Sequence, residues 1–342
     1  MERHVFVFGA GASKDEGLPI QEELLKTYFH TYQKDSFREE LYRYFYDFYG
    51  LDPNNLDVTK IPTFEEALGI IEVAIENETT FGPLYSLKKL QNIRNALILS
   101  MGNAIENSPL NRSNTHKRLM EKLFAQREFY QDQYGFISFN YDLLLDKALM
   151  DALEKDIYVD YGIEFANETI YSPPFEQWES PLGKQHIKFF KPHGSFNWMY
   201  CSTCNSLYIS GVKESKIFST GYLHNVEHCL KDHSELSYVM EPPSFHSRYK
   251  NVYLQIIWKK TFDVLAMADR IYFIGYALKN ADIWFKYLLK RSCFQKQKRF
   301  IVVNPVKEEE LKHKFDRLLG TVDYVEADFS SFVEHIHEFI SM

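Results

Sequence analysis

Three polar side chains stand where apolar runs of the sequence end, and each could take part in catalysis. Asn140 and Asp142 follow the run Gly135–Phe139, and His193 follows the run Ile187–Phe190. The Asn140 amide can hold a water molecule or a ribose hydroxyl, and Asp142 can do the same or cap the following helix. An imidazole titrates near neutral pH, so His193 can take a proton from a hydroxyl. These three are the candidate catalytic residues.

A glycine-rich turn near the amino terminus is a candidate phosphate-binding loop. The apolar run His4–Phe8 leads directly into this turn, and a helical pattern follows it. Backbone N–H groups of such a turn can approach a pyrophosphate closely, although a tight turn without a ligand has the same sequence. The acidic residue that grips a ribose in dehydrogenases does not follow at the expected distance, which argues against that class. The candidate binding residues of this segment are Gly9, Ala10, Gly11, Ala12, Ser13, Gly17 and Pro19.

Two further segments could line an adenosine pocket. Gly275 and Tyr276 follow the apolar run Arg270–Ile274, and Asn304 follows the run Arg299–Val303. Asn304 and the nearby Asp282 could instead be simple helix caps.

Six short runs of β-branched and aromatic residues predict the strands that must position these side chains. Their near-continuous apolar character is typical of strands buried on both faces of a parallel sheet. Most of the runs precede a helical pattern, and this alternation predicts right-handed βαβ units in a doubly wound, Rossmann-like α/β fold. The predicted strands are His4–Phe8, Gly135–Phe139, Ile187–Phe190, Arg270–Ile274, Arg299–Val303 and Thr321–Val325, and the last three precede helical patterns at 281–290, Val306–Leu319 and Asp328–Ile340.

Two segments interrupt this alternation. Residues 21–130 carry apolar residues at three- and four-residue spacing and are predicted to be a mostly helical insertion. Residues 196–250 contain a CxxC and several histidines without a clear period, which predicts a small irregular Cys/His module. No repeat, low-complexity tract or flexible linker divides the chain, so residues 1–342 are predicted to form a single domain.

Composition narrows the class of protein. The 342 residues are 45% apolar and 25% charged, as in ordinary globular proteins. The net charge is −8 and no long basic block offsets it, so we expect any link to nucleic acid to run through a partner. No apolar run is long enough to span a bilayer, no signal peptide is recognised, and four cysteines are too few for a disulfide framework. We therefore expect a cytoplasmic protein without membrane contact.

The cysteines raise the question of a metal. Cys201 and Cys204 form a CxxC like the first knuckle of a zinc ribbon, but no second CxxC follows. Cys229 and one nearby histidine could complete a four-ligand tetrahedral zinc site, and the candidate histidines are His224, His228 and His233. A site reduced to free cysteines is equally compatible with the sequence.

Taken together, the loop and strand-end segments resemble the sirtuin family. GAGAS with Gly17 and Pro19 is similar to the sirtuin GAGxSxxxGxP loop, and FNYD at 139–142 is similar to the family's Gln-Asn-x-Asp. KPHG at 191–194 matches the segment that holds the catalytic histidine of that family. Gly275 and Asn304 match its residues that contact ribose and adenine.

The resemblance implies a role for each candidate residue. NAD would be the substrate, with its pyrophosphate on residues 9–13. Asn140 would position a water molecule or a ribose hydroxyl, His193 would act as general base or hold the ribose, and Asp142 would help to orient both.

Details of the motifs resemble a bacterial sirtuin-like branch more than the protein deacylases. These details are FNYD, HGSFNW, IGYALKNAD, VNP and the segment Phe64-Glu65-Glu66. Members of that branch in antiphage defence hydrolyse NAD to nicotinamide and ADP-ribose, and several work beside a HerA-type ATPase or an Argonaute-like protein. The resemblance therefore implies an NAD hydrolase of a defence system, which we expect to act as a homo-oligomer or with such a partner.

Two alternatives remain at this stage. A protein deacylase is disfavoured because Pro19-Ile20-Gln21 stands where deacylases carry Asp-Phe-Arg after the loop. A non-catalytic subunit that senses NAD or ADP-ribose would use the same binding loops without turnover.

Overall fold

Strands and helices alternate along most of the chain. The computed structural model describes residues 2–31, 38–52, 55, 57–111, 113–125, 133–153, 156–211, 227–241, 251–306 and 309–340. Within them the chain forms ten strands: β1 (His4–Phe8), β2 (Tyr134–Ser138), β3 (Ile157–Asp160), β4 (Gln185–Phe190), β5 (Gly194–Tyr200), β6 (Leu207–Ile209), β7 (Ser237–Met240), β8 (Arg270–Ile274), β9 (Arg299–Asn304) and β10 (Asp323–Glu326). The same residues form twelve α-helices: α1 (Ala10–Lys14), α2 (Gln21–Thr31), α3 (Arg38–Tyr49), α4 (Phe64–Glu76), α5 (Leu87–Glu106), α6 (Thr115–Phe124), α7 (Leu144–Ala152), α8 (Val252–Met267), α9 (Ile283–Cys293), α10 (Glu309–Leu319), α11 (Phe329–Glu334) and α12 (Ile336–Ile340).

Seven of these strands form one sheet in the order β10-β9-β8-β1-β2-β4-β3. Every neighbouring pair in this sheet is parallel. The chain first places β2, β3 and β4 on one side of β1, with β4 between β2 and β3, and then crosses to the other side to add β8, β9 and β10. The strand order therefore reverses at β1, and the predicted doubly wound α/β fold is confirmed. A second, antiparallel sheet has the order β6-β5-β7.

All six predicted strands lie in the parallel sheet, and none of their bounds differs by more than two residues from the prediction. Asp328 caps α11 as predicted, because its Oδ1 accepts a hydrogen bond of 2.6 Å from the Ser331 amide. The prediction missed β3, which lies at the edge of the sheet and is only half-buried. Its apolar run, Ile157-Tyr158-Val159, has only three residues, and no α-helix separates it from β4, so the strand–helix alternation does not mark it.

Aromatic side chains fill the core on both faces of the parallel sheet. On one face, Phe6 stacks on Tyr272 at 4.6 Å between ring centroids, and Phe8 meets Phe329 of α11 at 5.9 Å. On the other face, Phe273 meets Phe315 of α10 at 4.8 Å. Burying one such ring contributes about 2–3 kcal/mol relative to leaving it exposed, so the abundant Phe and Tyr residues stabilise the sheet layers.

Helices α2 to α5 belong to a second compact unit that spans residues 18–109, whereas residues 2–17, 110–211 and 227–340 belong to the first. The apolar pattern from Phe64 to Met101 forms α4 and α5 as predicted, with Leu68 and Leu97 fully buried. Thr63 caps α4 by accepting a hydrogen bond of 3.1 Å from the Glu66 amide. Helix α6 lies in the first unit, although it falls inside the segment predicted as the insertion. Among the described residues, no helix combines the length and hydropathy needed to cross a bilayer.

The loops after β1 and β8 touch each other backbone to backbone. The Gly9 amide donates to the Ile274 carbonyl and the Gly11 amide to the Gly275 carbonyl, both at 3.0 Å. Gly275 has a φ of +59°, and a Cβ added there would lie 2.2 Å from the Ala12 nitrogen. Only glycine combines this conformation with this closeness.

We expect Gly275→Ala to lower the free energy of unfolding by about 3 kcal/mol, because backbone strain and a steric overlap add together. Gly320→Ala is the matched control, since Gly320 also has a positive φ of +85° but has no atom within 4 Å of the added Cβ. That control should cost about 1 kcal/mol, from strain alone. Urea unfolding of both variants measures the difference, and equal losses would contradict the close contact between the two loops.

Candidate active site

The carboxyl ends of the parallel strands bring the predicted site residues to one edge of the sheet. Phe8, the last residue of β1, is in register with Ser138 on one side and Ile274 on the other. Ligands of doubly wound folds bind in the crevice at this edge, where the strand order reverses. The predicted segments after β1, β2, β4, β8 and β9 therefore all meet the topological condition for a common site.

Ser13, Asn140 and Asp142 form one continuous hydrogen-bond network. The Asn140 Nδ2 group donates to the Gly9 carbonyl at 2.9 Å and to Ser13 Oγ at 2.8 Å. The Ser13 hydroxyl in turn donates to Asp142 Oδ2 at 2.7 Å. All three side chains are buried. Because both amide hydrogens of Asn140 are used, its Oδ1 is presented in a fixed orientation as an acceptor.

Asp142 also serves the local structure. Its Oδ1 accepts a hydrogen bond of 3.0 Å from the Leu144 amide, at the start of α7. The predicted helix cap is not formed, because the N-cap residue of α7 is Leu143 and no side chain caps this helix. Asp142 instead holds the turn before α7 with one oxygen and accepts from Ser13 with the other.

His193 lies among aromatic rings at the end of β4. Its imidazole meets Phe139 edge to face at 4.9 Å between centroids, and Trp258 and Tyr141 lie at 6.0 and 6.3 Å. Burial, assisted by the positive charge of Lys279, lowers the pKa of His193 from 6.5 to about 3. The ring is therefore neutral at physiological pH, and its buried Nδ1 has no hydrogen-bond partner among the residues that the structure describes.

The glycine-rich turn uses part of its hydrogen-bonding capacity within the protein. The amides of Gly9 and Gly11 donate to the loop after β8, and the Ala12 amide donates to the Gly9 carbonyl. Ala10 is half-buried and Gly11 is exposed, so the rim of the turn faces solvent. Gly17 lies in the turn that follows α1, and Pro19 belongs to the second compact unit.

The remaining predicted binding residues lie at the ends of β8 and β9. Tyr276 is buried, stacks on Phe139 at 5.0 Å and donates a hydrogen bond to Asp282 Oδ2. Asp282 precedes α9, but its side chain makes no capping hydrogen bond. Asn304 Oδ1 accepts a hydrogen bond of 3.1 Å from the Val306 amide, so Asn304 holds its own turn and keeps its Nδ2 group as a donor.

Sequence reasoning missed a buried ion pair next to these loops. Lys191 Nζ lies 2.9 Å from Asp146 Oδ2, and both side chains are inaccessible to solvent. Burial raises the pKa of Asp146, and the Lys191 ammonium opposes that shift. The signal in the sequence was a lysine placed directly after the apolar strand β4, where a charged residue is unexpected unless it is paired.

Three cysteines and an aspartate form a cluster in the small antiparallel sheet and its loops. One ligand atom from each of Cys201, Cys204, Cys229 and Asp232 lies within 4.8 Å of the others. The Cys204 and Cys229 sulfurs are 3.4 Å apart, and the Cys201 sulfur lies 3.5 Å from the Asp232 carboxylate. Thiolates with a carboxylate form a donor set that suits zinc.

The fourth member of this cluster differs from the predicted histidine. His228 and His233 are described by the structure but do not belong to the cluster, and His224 lies outside the described residues. Asp232 is held in place because its Oδ1 accepts a hydrogen bond of 2.9 Å from the Ser234 amide. Hydrogen bonds lower the pKa of Asp232, and the largest contribution comes from the Ser234 backbone amide. Asp232 is therefore a carboxylate at neutral pH.

These features define a doubly wound α/β protein with a buried polar network at the carboxyl edge of its parallel sheet. No known family model matches the chain, and neither does any curated protein. Among solved structures, the chain is similar to a Sir2 homologue, studied as a serine-to-alanine mutant in complex with ADP-ribose. The sequence identity is 14%, the TM-score is 0.44, and the match covers 99% of this chain and 94% of the other.

We expect His193 to make the protein sensitive to acid. The folded state keeps His193 neutral down to a pKa of about 3, whereas the unfolded chain takes up a proton near pH 6.5. Below pH 6.5 this residue alone lowers the free energy of unfolding by about 1.4 kcal/mol per pH unit. His193→Asn removes this contribution, so its stability should fall less steeply than that of the wild type between pH 6 and pH 5.

Urea unfolding at several pH values measures both slopes. His313→Asn is the control, because the His313 side chain is 75% exposed and should leave the wild-type slope unchanged. Parallel pH profiles for the wild type and His193→Asn would show that the imidazole is not held neutral in the folded state.

Proposed function

We propose that this chain is a sirtuin-like NAD glycohydrolase that cleaves NAD to nicotinamide and ADP-ribose. One observation carries the proposal. An Asn140 amide is locked by two hydrogen bonds beside a glycine-rich turn, at the sheet edge where the loop after β4 holds a buried, neutral His193. The order of the GAGAS, FNYD and KPHG segments along the chain supports the same assignment.

The reaction breaks the bond between nicotinamide and ribose. The electron pair of that bond leaves with nicotinamide, so the ribose passes through an oxocarbenium-like state. Water then adds to the same ribose carbon and loses a proton to solvent. In the proposed mechanism, Asn140 Oδ1 accepts a hydrogen bond from the attacking water or from a ribose hydroxyl, and Asp142 fixes Asn140 through Ser13.

In our proposal, the low pKa of His193 favours one of its two predicted roles. A general base is most effective when its pKa lies near the working pH, and a pKa of about 3 is far from neutral. We therefore assign to His193 the role of holding a ribose hydroxyl through its unpartnered ring nitrogen. The aromatic rings around it would exclude water from the opposite side of the sugar.

Binding of NAD would use the rim of the glycine-rich turn. Gly9 and Gly11 donate their amides to the loop after β8, so in our proposal the half-buried Ala10 contacts the pyrophosphate. The buried Ser13 would act through its hydrogen bonds with Asn140 and Asp142. Asn304 would offer its Nδ2 group to the adenosine half, and Gly275 and Tyr276 would shape that end of the pocket. For Ala12, Gly17 and Pro19 we keep the role in NAD binding that the sequence predicts.

We propose that the activity is switched on by self-association or by a partner, and that it serves antiphage defence. Constant cleavage of NAD would deplete the cell of a cofactor, so a trigger is required. The resemblance to a bacterial branch that works beside a HerA-type ATPase supports a partner of that kind, and the net charge of −8 supports contact with nucleic acid only through a partner.

We expect the purified chain, alone or with its activating partner, to release nicotinamide from NAD. Asn140→Ala and His193→Ala should each lower the rate about 100-fold or more, because each removes a group that orients the reacting sugar or water. Asn77→Ala is the matched control, since this exposed residue caps the end of α4. Chromatographic measurement of nicotinamide tests the proposal, and full activity in both site variants would overturn it.

The same assay distinguishes the two alternatives. Deacetylation of an acetyl-lysine peptide without hydrolysis of NAD in its absence would identify a deacylase. Calorimetric binding of NAD or ADP-ribose without product, even with the partner present, would identify a sensor subunit.

We also propose that the cysteine cluster holds one structural zinc ion. The three sulfurs and the Asp232 carboxylate are already within the range of one tetrahedral ion, which supports a complete four-ligand site. Such an ion would tie the loop after β5 to the segment that leads into β7.

Elemental analysis of the purified protein should find one zinc per chain. Cys229→Ala should lose the metal and lower the melting temperature, because a structural zinc contributes directly to folding. Cys293→Ala is the control, since Cys293 lies in α9 outside the cluster and should leave the zinc content unchanged. Zinc-free wild-type protein with three titratable thiols in this cluster would contradict the proposal.

A further inference from the structure

Lys191 is a fully buried lysine whose hydrogen bonds end on three different elements. Its ammonium donates to the Asp142 carbonyl at 2.7 Å, to Asp146 Oδ2 at 2.9 Å and to Ser195 Oγ at 2.7 Å. An ammonium has three donors, so the capacity of Lys191 is used completely. The three acceptors belong to the loop after β2, to α7 and to β5.

The partners of Lys191 are themselves held in place. The second oxygen of Asp146 accepts a hydrogen bond of 2.7 Å from the Tyr161 hydroxyl. The Ser195 hydroxyl donates to Asn197 Oδ1 at 2.8 Å, which extends the network along β5. No oxygen of the Asp146 carboxylate is left without a donor, so the buried charges are compensated on both sides.

Stability alone is a weak reason for such an arrangement. Removing two charges from water is costly, and apolar side chains often replace a buried ion pair without loss of stability. An ammonium with three fixed acceptors does something that an apolar side chain cannot do, because it defines the distances between three backbone segments. Its position therefore indicates a geometric role.

A chain of three hydrogen bonds connects Lys191 to the predicted catalytic amide. Lys191 holds the Asp142 carbonyl, the Asp142 carboxylate accepts from Ser13, and Ser13 accepts from the Asn140 Nδ2 group. In the other direction, Lys191 stands two residues before His193 in the same loop. Lys191 thus contacts the loop that holds Asn140 and Asp142 and belongs to the loop that holds His193.

We propose that Lys191, paired with Asp146, is a positioning residue that fixes the Asn140–Asp142 loop relative to His193. The proposal rests on the proposed NAD hydrolysis for its catalytic consequence. It assigns no contact with NAD to Lys191. Its effect is carried by the Asp142 carbonyl and by the loop that holds His193.

The test compares Lys191→Met, the double variant Lys191→Met with Asp146→Asn, and Lys298→Met. The single variant leaves a buried carboxylate without its counter-charge and should lower the melting temperature by about 10 °C. The double variant removes both charges and should recover at least half of that loss. Lys298→Met is the matched control, because Lys298 also donates to backbone carbonyls, those of Ala266 and Ala268, but precedes β9 at the opposite edge of the sheet.

The kinetic readout separates positioning from mere stability. The double variant, assayed well below its melting temperature, should keep kcat about 100-fold below the wild type with KM changed less than about threefold, because the reacting groups are misplaced while NAD still binds. Lys298→Met should keep the wild-type kcat. Recovery of kcat together with stability in the double variant would overturn the proposal.

Hydrogen exchange by mass spectrometry makes the test independent of the proposed function. In the double variant, amides of residues 139–144 and 193–196 should exchange about tenfold faster than in the wild type, and those of β9 should not change. If wild-type protein does not cleave NAD under any condition, the proposed function fails and this measurement alone decides the role of Lys191. Unchanged exchange in both loops would refute it.

Discussion

β1 is paired in register with a parallel strand on each side, and the arrangement of the polar residues depends on this pairing. Phe8 aligns with Ser138 and with Ile274, so the chain leaves all three strands at the same height of the sheet. The glycine-rich turn can then contact both neighbouring loops, through Gly275 on one side and Asn140 on the other. A shift of one residue in either pairing would reverse the faces of the strand and separate these contacts.

Hydrogen bonds compensate much of the polarity that is buried at this edge of the sheet. Ser13, Asn140 and Asp142 satisfy one another, and the Lys191 ammonium is saturated by three acceptors. His193 is compensated in a different way. Burial lowers its pKa, so the imidazole remains neutral and no charge is buried. An apolar setting therefore fixes the orientation of the polar groups instead of disordering them, which is the condition for holding a sugar in one geometry.

Local patterns in the sequence predict most of the strands. They do not predict contacts between side chains that lie far apart along the chain. Six strands of the parallel sheet, including the edge strand β10, were located to within two residues. β3 was missed because its apolar run has only three residues and no α-helix separates it from β4. Asp232 was missed because any acid near Cys229 is as plausible as a nearby histidine until the loops are folded. Lys191 was missed because its acceptors lie 4 to 49 residues away along the chain.

The placement of β3 at the outer edge has a consequence for how this chain can change over evolutionary time. β2 and β4 are neighbours in the sheet, yet β3 and a long connection separate them in the sequence. Within that connection, Leu182 is 80% exposed and Gly183 has open space around it. Insertions or deletions there would lengthen or shorten the rim without altering the spacing of the two strands that carry Asn140 and His193. Lineages could therefore acquire new surface loops here while the buried polar network at the carboxyl edge of the sheet stays constant.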